Sequence, residues 1–497
     1  LTAEHLARDT VAAHPTACRP HFFLASLLAD QGRRVEALPH FLGAAAAQDA
    51  GATALGRAYY EAAHAVQWDA AAAVAPRLQQ ALAADQANPF HLLITPARPA
   101  ELRANAEATC ATAWPRRRAL AAPAEPKARL RVGYLSPDYR DHPVGHLVAD
   151  LFRHHDRSRF DVRLYGLGGH DASQVGRDIR AAGDGYTCLD QHGDHAAARK
   201  IRADGIDVLI DLGGHTRHSR LGILSFRPAP LQMHYLGFPG TTGAPFVDYI
   251  VGDPWTIPPE HEPFFTEKII RLPLSYQINS QRPAPAPADK ARWGLDPAQV
   301  VFCSFNHVRK ITAPMFDVWC DILARVPAGI LWVLIETEHQ GALLKAQAER
   351  RGIAPQRVHL ARRLPRAAHL ARLAVADLHL DTLPYNAHTT ASDCLWVGCP
   401  LLTTPGQTFA GRVSAGLLAA AGLQDCIAAD LDQYGRMASA LGNDRPALAA
   451  LKARTARARD GELFDPAAFT RRFERGLSQA WERASSGGQP ASMDVAR

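Results

Sequence analysis

The sequence lacks any long apolar run. Its strongest apolar stretches are as short as 330–335, far below the roughly 20 residues a membrane-spanning helix needs. A membrane is therefore not expected as a partner, and no secretory leader is read, which implies a cytoplasmic protein. Leu1 already lies in what reads as helix, which suggests a piece of a longer chain. No Lys/Arg run stands out either, and a formal charge of +6 is modest for 497 residues. Nucleic acid is not implied as a partner, whereas phosphorylated small molecules remain compatible. The eight cysteines, at 18, 110, 188, 303, 320, 394, 399 and 426, form no CxxC pair. They read as reduced core thiols rather than a disulfide framework. Walker and Gly-x-Ser-x-Gly motifs are absent, which removes the usual ATPase loop and hydrolase elbow. The one Asp-x-Asp, Asp430 to Asp432, lies outside the polar loops described below. That position argues against a metal-clamped diphosphate.

Residues 1–112 are rich in Ala and Leu, show no strand-like alternation and predict helices. One window fits the 34-residue tetratricopeptide pattern. Leu24, Ala25 and Leu28 fall on a first helix, Gly32 near the turn, and Ala37, Phe41 and Ala44 on a second. Ala3 and Pro15 stand 34 residues before Ala37 and Asp49, so the chain begins midway through an earlier repeat. A plain helical bundle is the alternative. Stacked repeats expose a groove suited to peptides.

Residues 113–128 read as a linker. Over 129–281, short apolar runs at 130–135, 162–165, 208–211 and 231–235 alternate with helical stretches. Such βα alternation predicts an α/β lobe with a mostly parallel sheet. A Pro-rich linker at 282–290 precedes a second series over 291–485, with runs at 300–305, 330–335, 358–360, 378–380 and 401–403. Residues 486–497 read as a disordered tail.

Ligands of open parallel sheets sit beyond the carboxyl ends of the strands, and four polar segments lie at such ends. The first runs from Ser136 to His146 and offers Asp138, His142 and His146 as general base or polar-substrate ligands. The second holds Asp211, Gly213, Gly214, His215 and His218, at spacings that match no usual zinc pattern. The third, 236–243, holds Pro239, Gly240 and Thr241 and is a rigid turn with backbone N–H groups available. The fourth, 381–393, leads into a helix read from His388 to Val397. Its first turn exposes the N–H groups of His388, Thr389 and Thr390, a phosphate-binding arrangement. Simple N-capping by Thr or Asn is the alternative. Lys310, after the 300–305 strand, is placed to neutralise a departing diphosphate.

Taken together, these segments resemble the O-linked N-acetylglucosamine transferase family in its compact bacterial form. The markers are the Asp-His-Pro loop at 141–143, Arg-Pro-Ala-Pro at 227–230, Gly-Phe-Pro-Gly-Thr-Thr-Gly at 237–243, Phe-Asn-x3-Lys-Ile at 305–311, and Asn-Ala-His-Thr-Thr-x2-Asp at 386–393. The resemblance covers roughly 130–481. It implies a GT-B fold, two Rossmann-like lobes behind tetratricopeptide repeats. It also implies inverting, metal-independent transfer of N-acetylglucosamine from its UDP donor to Ser/Thr hydroxyls of proteins, with no cofactor and with the acceptor held partly by the repeats. By the same resemblance Lys310 and the 388–390 helix start hold the diphosphate, and Asp393 contacts the ribose. His369 and Arg372 frame the uracil, whose edge is read by the backbone of Leu364. His142 and His146 face sugar and acceptor, and Pro239, Gly240 and Thr241 help close the sugar pocket. His307 stands where animal enzymes carry Gln, and Arg366 where the family has a Lys near the ribose. His142, Asp138 through water, and a donor phosphate oxygen all stand as candidate proton acceptors. Two rivals stay open: a Spindly-type protein O-fucosyltransferase using GDP-fucose, and a UDP-binding repeat scaffold without turnover.

Overall fold

The computed structural model describes residues 2–115, 117–120, 124–169, 171–283 and 289–497. The Pro-rich linker read at 282–290 falls mostly outside them. Contacts divide the chain into two units. One comprises Leu1–Glu101, Pro283–Ala415 and Leu423–Arg457; the other comprises Leu102–Arg282, Gly416–Gly422 and Ala458–Arg497. No helix among the described residues is long and apolar enough to cross a membrane.

The first unit opens with helices α1 (Ala3–Ala13), α2 (Cys18–Asp30), α3 (Arg34–Ala46), α4 (Ala52–His64) and α5 (Trp68–Ala81). The starts of α2 and α4 are 34 residues apart, as are those of α3 and α5, the spacing the sequence pattern predicts. Leu24, Ala25 and Leu28 on α2 bury against Ala37, Phe41 and Ala44 on α3, none more than 1% exposed. A carboxylate closes each repeat onto its own first helix: Asp49 accepts from the Cys18 N–H at 3.1 Å and Asp85 from the Ala52 N–H at 2.7 Å. Both bonds satisfy donors that a helix start leaves open. The repeats also pack on the α/β part of their own unit. The Trp68 indole donates to the Ile311 carbonyl at 2.9 Å, with its ring centre 5.1 Å from that of Phe316.

The second unit is built on a parallel sheet. Its strands are β1 (Leu130–Ser136), β2 (Phe160–Gly166), β3 (Gly185–Cys188), β4 (Val208–Asp211), β5 (Leu231–His234), β6 (Tyr249–Gly252) and β7 (Lys268–Arg271). They lie in the order β7-β6-β5-β4-β1-β2-β3. β4 is buried along its whole length, which is why its sequence is a continuous apolar run and not an alternation. The sheet of the first unit holds β8 (Val300–Ser304), β9 (Gly329–Leu334), β10 (Val358–Ala361), β11 (Leu378–Leu380) and β12 (Leu401–Leu402), in the order β10-β9-β8-β11-β12. In both sheets the winding reverses, between β1 and β4 in one and between β8 and β11 in the other. Such switch points leave a crevice at the carboxyl ends of the two central strands.

Two sequence expectations are corrected here. The helix Pro466–Ser485, read with the second lobe, belongs to the unit of the first. Its apolar face of Phe469, Phe473, Leu477 and Ala480 is buried, and its Glu474 accepts from His155 at 2.9 Å and from the Asp156 N–H at 2.7 Å. Residues 486–497, read as a disordered tail, supply a strand, β13 (Met493–Asp494), parallel to β7. Val495 is 4% exposed and Asp494 pairs with Arg271 at 2.6 Å, so burial and charge hold the segment despite its polar composition. The weak runs at β3, β6 and β7 were not recognisable as strands in the sequence.

Candidate active site

At the switch point of the first unit, the chain leaving β8 turns through Phe305, Asn306 and His307 into a short 3-10 turn, Val308–Lys310. The Nδ1 of His307 caps that turn by accepting from the Arg309 N–H at 3.3 Å. The Lys310 ammonium donates to the Asn386 carbonyl at 2.7 Å and stands 3.7 Å from the centre of the Tyr385 ring. Burial pushes its pKa down to about 7; Arg309 acts in the same direction and Asp381 opposes both.

Asp381, directly after β11, folds the loop that follows. Its buried carboxylate accepts from the N–H groups of Thr382 at 2.8 Å and Ala387 at 2.7 Å, and from the Thr403 hydroxyl at 2.7 Å. Burial still raises its pKa above the ordinary carboxylate value. Asn386 closes the turn by donating to the Thr382 carbonyl at 2.7 Å. The helix begins at Thr389 and runs to Val397, with His388 as its cap residue and no side chain capping it. Its first N–H groups thus remain for something outside the helix, contrary to the capping alternative. His388 Nε2 donates to the Ala410 carbonyl at 3.1 Å, and burial holds the ring neutral with a pKa of about 3. Gly398, at φ +78°, ends the helix in the left-handed region where a side chain would be strained.

The helix Arg366–Val375 packs against the Thr389–Val397 helix. Arg366 occupies its first position, Leu364 lies just before it, and Asp393 is one turn inside the neighbouring helix. Arg372 is 2% exposed, donates to His369 Nδ1 at 2.8 Å and to the Arg362 carbonyl at 2.6 Å, and lies 4.2 Å from the Phe305 ring centre. Burial, with Arg372 beside it, lowers His369 to about 4, so its ring is neutral at pH 7. This unit therefore joins Lys310, the uncapped helix start and the His369–Arg372 pair around the ends of β8 and β11.

In the second unit, the loop after β1 holds Asp138, which receives Arg140 at 2.9 Å and stands 3.5 Å from His142 Nδ1. His142, with 34% of its side chain exposed, caps the helix Pro143–His154 by accepting from the Val144 N–H at 3.3 Å. His146 Nε2 donates to Asp141 at 2.7 Å. The loops after β4 and β5 brace one another. Asp211 accepts from the Gly214 N–H at 2.6 Å and from His234 at 3.1 Å, and His234 donates on to the Phe238 carbonyl at 2.8 Å. Burial opposes charge on His234, yet Asp211 and Phe238 overcome it and raise its pKa. Glu267 holds the hydroxyls of Thr241 and Thr242 and the Thr242 N–H. His215 donates to the Thr242 carbonyl at 2.7 Å, so it serves the loop and no metal cluster forms with His218 and Asp211 among the described residues. Gly243 combines φ +69° with the backbone of Ala106 where a Cβ would stand, so only glycine fits. Pro239, Gly240 and Thr241 are thereby set in a rigid turn.

Sequence reasoning missed the carboxylates that hold these loops. Nothing near Glu267 in sequence announces its partners Thr241 and Thr242. The Arg-Pro-Ala-Pro marker has a structural role: Arg227 binds Asp248 through two contacts of 3.0 and 2.9 Å.

Comparisons with known proteins show the family. Glycosyl transferase family 41 matches residues 115–284 and 286–473. A relative from Arabidopsis thaliana, named "Probable UDP-N-acetylglucosamine--peptide N-acetylglucosaminyltransferase SEC", is 32% identical over 377 residues, covering 74% of this chain and 38% of the relative. A Petunia hybrida relative of the same printed activity, SPINDLY, is 32% identical over 378 residues, covering 74% of this chain and 40% of its own length. The chain thus spans about two fifths of these relatives. A solved structure of an O-GlcNAc transferase mutant from Thermobaculum terrenum is 27% identical with a TM-score of 0.80, covering 98% of this chain and 94% of that one. Two Rossmann-like lobes behind helical repeats make this a GT-B architecture. The match across both lobes, over the loops that carry Lys310, His388 and His142, means that the chain belongs to glycosyl transferase family 41.

Proposed function

We propose that this chain transfers N-acetylglucosamine from UDP-N-acetylglucosamine to serine or threonine hydroxyls of protein acceptors, in one inverting displacement with no metal on the diphosphate. The observation that carries the reading is the buried Lys310 ammonium beside a helix start that no side chain caps, at the β8–β11 switch point. A cation and free N–H groups are the two features a leaving nucleoside diphosphate needs.

In this reading the acceptor oxygen bonds to the anomeric carbon as the bond to the β-phosphate oxygen breaks. UDP departs with the bonding pair, and Lys310 with the Thr389 and Thr390 N–H groups offsets its charge. The neutral His369 ring and Arg372 frame the uracil, which the Leu364 backbone reads, while Asp393 and Arg366 serve the ribose. His307 steadies the Lys310 turn. His146 and the Pro239-Gly240-Thr241 turn shape the sugar pocket. The hydroxyl proton goes to His142, to Asp138 through water, or to a donor phosphate oxygen. For His142 to take it on Nε2, the ring's own proton must sit on Nδ1, turned to Asp138 at 3.5 Å in place of the 3.3 Å bond that Nδ1 accepts from the Val144 N–H. The helical repeats hold part of the acceptor; Leu6, Phe23 and Val35, all more than half exposed, lie on their first three helices.

The test is a donor screen in EDTA with UDP-N-acetylglucosamine, UDP-glucose and GDP-fucose, following transfer and donor hydrolysis. Selective turnover of UDP-N-acetylglucosamine is expected. Selective use of GDP-fucose, or UDP binding without any turnover, would sink the proposal.

A further inference from the structure

His64, His307 and Glu336 meet where α4 ends against the first unit's sheet, and their ligating atoms all lie within 4.8 Å of one another. Glu336 receives His307 Nε2 at 2.8 Å on one oxygen, an ordinary charge-assisted hydrogen bond. Its other oxygen stands 3.4 Å from His64 Nε2, beyond the usual hydrogen-bond range. His64 is 7% exposed, and its Nδ1 is buried with no hydrogen-bond partner. Its Nε2 also has the Gln340 side-chain nitrogen at 3.4 Å, so the ring makes only long polar contacts.

The spacing at His64 Nε2 suits a bound ion. Around a four-coordinate ion with bonds of about 2.0–2.1 Å, neighbouring ligand atoms lie about 3.3 Å apart, and two imidazole ring centres about 5 Å apart. Here the His64-to-Glu336 separation is 3.4 Å and the ring centres of His64 and His307 are 5.1 Å apart. Two imidazoles and one carboxylate form a donor set suited to zinc-class ions. The nearby cations are turned elsewhere: Arg34 pairs with Glu61 at 2.9 Å, and Arg309 lies over the Tyr60 and Phe90 rings.

We infer that His64, His307 and Glu336 bind one zinc-class divalent cation, with water in the fourth position, clamping the end of α4 to the turn that carries Lys310. Glu336, 44% exposed at its side chain, gives the ion its entry. Binding at His307 Nε2 moves that ring proton to Nδ1 and gives up the long contact from the Arg309 N–H. The ion has no part in group transfer, so this inference stands or falls apart from the donor reading.

The test uses the full chain, stripped with chelator and desalted, and zinc chloride titrated by calorimetry. Wild type is expected to bind one equivalent and to melt at higher temperature with zinc. Glu336→Gln, which keeps shape at a half-exposed position, and His64→Gln are each expected to weaken zinc binding about tenfold or more. The inference is overturned if wild type binds no zinc, or if both variants bind it as wild type does, which would assign the metal to cysteines. UDP binding in EDTA, measured on the same samples, judges the donor reading separately.

Discussion

The Lys310 ammonium donates to the carbonyl oxygen of Asn386 at 2.7 Å, which ties the loop after β8 to the loop that starts the Thr389–Val397 helix. Both groups lie where the sheet reverses its winding, and the bond joins the charge to the N–H groups it is proposed to work with. An incoming diphosphate gives the ammonium an anionic partner that a neutral carbonyl cannot match.

Lys310→Ala is therefore expected to lower kcat by about 100- to 1,000-fold and to weaken UDP binding. Lys310→Arg is expected to restore little, because a planar guanidinium spreads its charge and donors differently from a compact ammonium. Steady-state kinetics with UDP calorimetry checks both. Full activity in the alanine variant would remove Lys310 from the diphosphate site.

Proton linkage offers a second check. With Lys310 at about 7 in the free protein, most of its ammonium is lost at pH 8. An anion raises that value, so binding UDP at pH 8 is expected to take up about one proton. UDP affinity then falls as pH rises above 7. Calorimetry in buffers of different ionisation enthalpy reads the uptake directly, and Lys310→Ala should abolish it.

His142→Ala is expected to reduce transfer to acceptor by about 100-fold or more while changing UDP affinity little. His142→Asn keeps a cap for the helix at Pro143 and tests whether the loss is chemical. Equal losses in transfer and UDP binding would make His142 a binding residue instead.

Asp381→Asn puts an amide N–H₂ among several donors that converge on one buried carboxylate. The cost is expected to be about 2–4 kcal/mol of stability, from lost charge-assisted bonds and a donor facing donors. Urea unfolding measures it. The same variant should bind UDP more weakly, since Asp381 shapes the turn that presents the helix start. Unchanged stability and affinity would mean that the loop holds its form without the carboxylate.

Local order was largely legible in the sequence. The strands β8 to β12 stand where apolar runs predict them, because a buried parallel strand must be apolar on both faces and so writes an uninterrupted run. The repeats were legible from a period, with Leu24, Leu28 and Phe41 at the packing positions. Strands β3, β6 and β7, four residues each, escaped notice, since so short a run carries little pattern. The polar segments 136–146, 211–218, 236–243 and 381–393 could be ranked as chemical because strand ends in such sheets gather ligands.

The sequence by itself determined most element types and the positions of the polar loops, since each depends on neighbours a few residues away. Only the tertiary structure decided that Asp381 folds the helix-start loop, that Glu267 and the Asp211–His234 pair brace the turn at 239–241, and that His64 meets His307 and Glu336. It also decided that the C-terminal segment adds a strand beside β7. In each case the partners are far apart in the chain, and a charge or buried ring leaves no local signature of the group that will satisfy it.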